Sequence, residues 1–431
     1  MLQTTSESNL VGELHQRARM ALQQGRESEA VGLWQQILAV APDDLQAHSG
    51  LGRWALRVGD LNGALAHFAS LARLDRRDAR HWVSVAQVQQ RRGDEAAEEA
   101  ALFEALKLDP QDLMALLMRG ALHERHGRTG PAADAYIAAT IVAPPAQRLS
   151  PELRPLVVHA LEFRQAHEQR LARFVDAALE SDFRAHASEP LDRFRLSLDI
   201  LVGRKRRYES RPSRYFVPQL QPIEFLAPER FPWMAAIEAG TERIRNEFLA
   251  ALQADQGFTP YIEYGLDQPL EQWAELNHSP RWTCYHLWKD GLPIPEHVAR
   301  CPETMRLLEA SPRPDQPGRT PVAMYSLLKP RTVIPPHVGA SNARLVCHLP
   351  LIVPPGCSFR VGNTVREWVP GRAWVFDDTI EHEARNDSDQ LRVLLIWDTW
   401  HPDLTEPERR MITALSAALN AFSGTDQDYG G

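Results

Sequence analysis

The feature that most constrains this chain is a 34-residue period in its first third: Gly25, Gly59, Gly93 and Gly127 recur at that spacing. Pro42, Pro110 and Pro144 keep the same period, with Arg76 standing where the second proline would be. Ala30, Ala64 and Ala132 sit five residues after their glycines, and Trp34, Phe68, Leu102 and Tyr136 follow four residues later. Each position has a physical reading in a unit of two helices. Glycine takes the left-handed backbone that ends the first helix. A small alanine lets the second helix approach the first, and the large apolar residue one turn on shares its face. Proline closes the unit because it cannot continue a helix. Glu98, at the third unit's alanine position, weakens that unit without breaking the register.

This pattern resembles the tetratricopeptide repeat and covers residues 11–146 as four repeats. The resemblance implies a stacked superhelix whose concave groove docks a peptide or partner protein. The blander reading is a solenoid that only solubilises or dimerises the chain. Residues 147–214 read as a helical extension and linker, with Ser150, Pro151 and Glu152 as a helix start. The basic run Arg204, Lys205, Arg206, Arg207, Arg211 and Arg214 reads as a solvated linker rather than a nucleic-acid patch. The 431-residue chain carries a net charge of −8, which disfavours a polyanion partner. Its four cysteines form no CxxC pair, so reduced thiols and a cytoplasmic location are expected. The N-terminal stretch lacks the pattern of a signal peptide. No run approaches the ~20 apolar residues needed to cross a bilayer, so no membrane partner is expected.

From Tyr215 the composition changes. Prolines become dense, and eight of the eleven tryptophans lie beyond this point. A second domain is expected over residues 215–420, with the segments PVAMYSLL, ARLVCHLPLIV, RAWVFDD and LRVLLIWD as antiparallel strands of a sandwich or barrel. The fold class is therefore α+β and multidomain. Alternation puts Arg344, Val346 and His348 on one face of a strand and Leu345, Cys347 and Leu349 on the other. Arg and His together on one face of an apolar strand suit a wet or ligand-filled cavity. Arg392 stands alone among aliphatic residues, where a guanidinium wants a carboxylate or phosphate. If Asn386-Asp387-Ser388 is a hairpin loop, His382 lies opposite Arg392. His337, in IPPHVGASN, sits at a strand start. Thr405 and Glu408 form a capping box that opens a last helix through Leu419, and the SGTDQDYGG end reads as a frayed tail.

The stretch from Ser326 to Arg392, with PPHVGASNARLVCHLPLIVP, WVFDDTIEHEARN and LRVLLIWDTWHP around it, resembles the aspartyl/asparaginyl β-hydroxylases. These are iron(II)- and 2-oxoglutarate-dependent dioxygenases on a double-stranded β-helix, a jelly-roll or cupin-like fold. The resemblance implies that His337 and His382 are the catalytic iron ligands. Arg392 and Ser326 would hold the distal carboxylate of 2-oxoglutarate, and His348 its other end. Arg344 matches the position that meets the substrate's carboxylate, while Val346 departs from a pattern in which another basic residue is common. The carboxylate that most 2-oxoglutarate oxygenases carry two residues after the first histidine is replaced by Gly339, as in this subfamily. Asp377 and Asp378 read equally well as residues supporting the metal site or as a strand end.

The function so implied is hydroxylation of an Asp or Asn side chain, at the β-carbon, in a peptide or protein, using Fe(II), 2-oxoglutarate and O2. The repeats would dock the substrate or a partner. The alternatives are a hydroxylase of a free amino acid or other small molecule, and a repeat scaffold with a vestigial barrel.

Overall fold

A computed structural model describes residues 2–254, 257–265 and 267–423. All but the first residue of the SGTDQDYGG tail lie outside the described residues. By its contacts the chain divides into two units after Gly203.

The first unit begins with four consecutive helix pairs. They are α1 (Leu2–Gln23) with α2 (Glu27–Val40), α3 (Leu45–Val58) with α4 (Leu61–Leu74), α5 (Ala79–Arg92) with α6 (Glu95–Leu108), and α7 (Leu113–Arg125) with α8 (Thr129–Val142). The repeated glycines do what the period requires: Gly59 and Gly93 end α3 and α5 at φ of 85° and 72°. The repeated aromatic ring lies flat on a first helix. A Cβ on Gly52 would stand 2.8 Å from the Phe68 ring, and one on Gly120 2.4 Å from that of Tyr136.

The structure shows a second repeated signal. Asp44, Asp60, Asp94 and Asp112 cap the following helices by accepting the backbone N–H of Ala47, Gly63, Ala97 and Ala115 at 2.7–3.1 Å. Glu98 is tolerated in the apolar layer because Arg125 Nη2 meets its carboxylate at 2.6 Å. Two further helices, α9 (Leu153–Ala185) and α10 (Asp192–Leu201), complete this unit.

Residues 204–214, grouped with the linker in the sequence reading, pack on the second unit. Arg211 N–H donates to Thr379 O at 2.8 Å, and Ser213 N–H to Gly339 O at 3.0 Å.

Among its described residues the second unit holds twelve strands: β1 (Phe225–Leu226), β2 (Thr259–Pro260), β3 (Trp282–Lys289), β4 (Leu292–Pro293), β5 (Ala323–Leu328), β6 (Thr332–His337), β7 (Arg344–Ile352), β8 (Cys357–Val361), β9 (Thr364–Glu367), β10 (Trp374–Phe376), β11 (His382–Asn386) and β12 (Arg392–Trp400). An antiparallel eight-stranded sheet runs β1-β10-β7-β12-β5-β3-β2, with β4 on β3. A four-stranded sheet runs β6-β11-β8-β9. Helices α11 (Met234–Ala239), α12 (Thr241–Gln253), α13 (Pro295–Arg300) and α14 (Pro302–Leu308) belong to this unit. Ile237, Ile244, Phe248 and Leu307 form one core with Leu345, Cys347, Leu349 and Leu395, the outward residues of the large sheet. A second core gathers Phe359, Val361 and Ala384 of the small sheet with Trp282, Leu328 and Leu394 of the large one. The face carrying Arg344, Val346 and His348 is thus the one turned toward the small sheet. The last helix, α15 (Glu406–Ser423), opens on the expected capping box, with Thr405 N–H donating to Glu408 Oε2 at 2.8 Å.

Two expectations are corrected. His382 is not paired with Arg392: β11 belongs to the small sheet, where His382 lies opposite His337 and Val361, while Arg392 on β12 pairs with Leu328 of the large sheet. The physical reason is Asn386, fully buried, whose Nδ2 donates to the carbonyls of Leu328, Lys329 and Gln390. Those bonds turn the chain from one sheet to the other where a hairpin would have folded it back. His337 stands at the end of β6 rather than at a strand start.

Candidate active site

Between the two sheets lies a cavity of about 460 Å³ whose lining includes Ser326, His337, Arg344, His348, His382 and Arg392. The fold therefore brings all six residues singled out in the sequence to one space.

His337 and His382 are cross-strand partners on the small sheet, with ring centroids 4.0 Å apart. Their Nδ1 atoms are fixed in the same way. That of His337 bonds to Pro335 O at 2.8 Å, and that of His382 to Ile380 O at 3.0 Å. A carbonyl only accepts, so each Nδ1 carries the hydrogen and each Nε2 presents a lone pair. Burial holds both imidazoles neutral, with pKa lowered to about 3 for His337 and about 4 for His382. Two neutral imidazoles with oriented tautomers are what a first-row divalent metal binds. The edge of Trp273 meets the His337 ring at 5.1 Å and backs it.

On the large sheet, Arg392 is only 1% exposed, and none of the described residues places a carboxylate within ion-pair distance of it. Its Nη1 donates to Ser326 Oγ and O at 3.3 and 3.4 Å, its Nε is buried without a partner, and its guanidinium lies 5.1 Å over the Trp368 ring. Burial alone pulls its pKa down to about 9. A buried cation without a counter-ion is costly, and an incoming anion relieves that cost. Ser326 Oγ also accepts from Trp282 Nε1 at 3.2 Å. With two donors on its lone pairs, the hydroxyl has its own proton left to give. His348 Nδ1 accepts from Trp368 Nε1 at 3.3 Å, which leaves the proton on Nε2.

The two aspartates before His382 separate. Asp377 closes a turn by accepting Thr379 N–H at 3.0 Å. Asp378 lines the cavity and ion-pairs with Arg344 Nη2 at 3.1 Å. Its carboxylate fills the space beside Gly339: a Cβ there would meet Asp378 Oδ2 at 2.1 Å. A side chain at residue 339 would have to displace the Asp378 carboxylate from Arg344, which favours the glycine two residues after His337.

Sequence reasoning missed Trp282, Trp368 and Asp398. The last was legible, since Arg392, Leu394, Ile396 and Asp398 alternate along β12 and all line the cavity. Burial raises the Asp398 pKa to about 7.

Two antiparallel sheets thus enclose a histidine pair on one wall and, on the other, a buried arginine with no carboxylate partner among the described residues. Residues 238–402 match the family model described as aspartyl/asparaginyl beta-hydroxylase. Through these residues the second unit is similar to the aspartyl/asparaginyl β-hydroxylase family. The chain is 33% identical over 182 residues to the human aspartyl/asparaginyl beta-hydroxylase, covering 42% of this chain and 22% of that protein. It is also 33% identical over 212 residues to the mouse aspartate beta-hydroxylase domain-containing protein 2, covering 48% of this chain and 59% of the relative. Against the ornithine lipid ester-linked acyl 2-hydroxylase of Rhizobium tropici it is 33% identical over 188 residues, covering 43% and 63%. The chain thus spans less than two thirds of each of these relatives. Among solved structures, that of MamA protein is similar at 17% identity over 43% of this chain and 97% of that one, with a TM-score of 0.31.

Proposed function

We propose that the protein is an iron(II)- and 2-oxoglutarate-dependent hydroxylase of an Asp or Asn side chain in a peptide or protein, its two sheets forming a double-stranded β-helix. The observation that carries this is the pairing, across one cavity, of two neutral histidines with free Nε2 atoms and a buried arginine without a counter-ion. The donor set fits the group: His337 and His382 would hold the iron. Arg392, with the Ser326 hydroxyl, would grip the distal carboxylate of 2-oxoglutarate, and His348 Nε2–H would donate to its other end. Iron, 2-oxoglutarate and O2 together supply the oxidising power that puts an oxygen atom into a C–H bond and releases succinate and CO2.

The chain's own work is positional. Trp282 and Trp368 hold Ser326 and His348 by hydrogen bonds, and the aromatic walls keep water from the reacting carbon. The helical repeats dock the substrate protein or a partner. Four buried free thiols fit a reducing, cytoplasmic setting.

The test follows succinate by NMR under aerobic turnover with Fe(II), 2-oxoglutarate and a pool of Asp- and Asn-containing peptides. Wild type is expected to form succinate and a peptide heavier by one oxygen atom, and His382→Ala neither. Succinate without a modified peptide would move the substrate to a small molecule. No succinate together with no metal binding would overturn the function and leave a repeat scaffold.

A further inference from the structure

The half of the cavity away from Arg392 has its own chemistry, which deepens the function just proposed and rests on it. Strand register sets Met324, Ile396 and His348 side by side across the large sheet, then Asp398 opposite Val346, with Arg344 one pair beyond. Met324, Ile396 and Val346 make an apolar floor. Past it, one guanidinium faces two carboxylates. Arg344 is already paired with Asp378 at 3.1 Å. Asp398, 3% exposed, uses Oδ1 to accept Val322 N–H at 3.0 Å and leaves Oδ2 buried with no hydrogen-bond partner. The other charged residues of the lining, Arg214, Lys289, Glu263 and Asp290, are two of each sign and none is buried.

Above pH 7, where Asp398 is ionised, a substrate carboxylate entering here finds its cation neutralised and a second carboxylate uncompensated, in surroundings that strengthen the repulsion. A carboxamide carries no charge, and its NH2 is the donor that Asp398 Oδ2 lacks. We propose that Asp398 is a specificity-determining residue, and that with Val346 opposite it this half of the cavity selects an asparaginyl carboxamide over an aspartyl carboxylate.

The test uses the full chain loaded with Mn(II) and 2-oxoglutarate without oxygen, at about pH 8.5 so that Asp398 is ionised, and reads binding by the fluorescence of the cavity tryptophans. The probes are N-acetylasparagine methylamide and N-acetylaspartate methylamide. The asparagine probe is expected to bind at least about tenfold more tightly. Asp398→Asn, which keeps an oxygen for Val322 N–H, should bring the two within about threefold by removing the charge. Val346→Arg should move the preference toward aspartate by supplying a cation opposite Asp398. Equal or tighter binding of the aspartate probe by wild type overturns the inference. So does saturable 2-oxoglutarate binding with neither probe bound at millimolar concentration. Failure of 2-oxoglutarate itself to bind overturns the underlying function, and the inference with it.

Discussion

Arg392 shows how far a single residue can be set against the stability of its own fold. It is buried among Ser326, His348 and Trp368 with only a hydroxyl and a carbonyl to satisfy it. Replacing a poorly compensated buried ion by an apolar residue of similar length is often stabilising. Arg392→Met should therefore raise the melting temperature of the ligand-free protein. It should also weaken 2-oxoglutarate binding by roughly ten- to a hundredfold, since hydrogen bonds to charged groups contribute about 1.5–3 kcal/mol. Thermal unfolding with and without 2-oxoglutarate measures both, and a fall in ligand-free stability would contradict the first expectation.

Asp398 gives the pH counterpart. Its folded pKa near 7 lies above the ordinary 3.8, so between those values the folded state holds the proton and the unfolded state does not. Stability is then largest below the unfolded pKa and falls as pH rises toward 7. Asp398→Asn should remove that slope and gain on the order of 2 kcal/mol over wild type above pH 7, read from urea unfolding at several pH values.

At the scale of elements, the third helix pair joins a sequence departure to a compensation. Glu98 is 1% exposed and depends on Arg125, which is 41% exposed. Arg125→Ala strands a buried carboxylate and should cost about 2–3 kcal/mol. Glu98→Ala restores the small residue of the period, frees an arginine that can reach solvent, and should change stability by less than about 0.5 kcal/mol. Equal losses in the two variants, by denaturant unfolding, would mean that the pair and not the period holds this repeat. The caps are more uniform: Asp112→Ala should cost about 1 kcal/mol, seen as a lower midpoint at unchanged denaturant slope. This signal was open in the sequence. Asp44, Asp78 and Asp112 repeat every 34 residues, one place before the first helix of the second, third and fourth pairs. Glycine and proline registers were the more obvious punctuation and drew the reading away from it.

For the whole molecule, the division after Gly203 and the separate cores of the two units predict that residues 204–431 fold without the repeats. Expressed alone, that unit should unfold cooperatively and bind 2-oxoglutarate as the full chain does, while losing turnover of a protein substrate more than of a short peptide. Equal loss on both would remove the docking role from the repeats.

Much of this architecture was legible because it is periodic. The 34-residue spacing sets helix ends and close approaches locally, and alternation along β7 sorted Arg344 and His348 from Leu345 and Cys347 without any tertiary knowledge. The family resemblance supplied the roles assigned to His337, His382 and Arg392. What sequence could not decide was which strands share a sheet. Hairpin arithmetic placed His382 beside Arg392 because short loops favour adjacent pairing, but Asn386 spends its side chain on three carbonyls and sends β12 to the other sheet. The same crossing puts the histidine pair and the arginine on opposite walls and opens the cavity between them. It also brings Asp378 against Gly339 and sets Asp398 opposite Val346. Those pairings join residues tens of positions apart, through contacts that local pattern does not encode, so only the packed sheets could decide them.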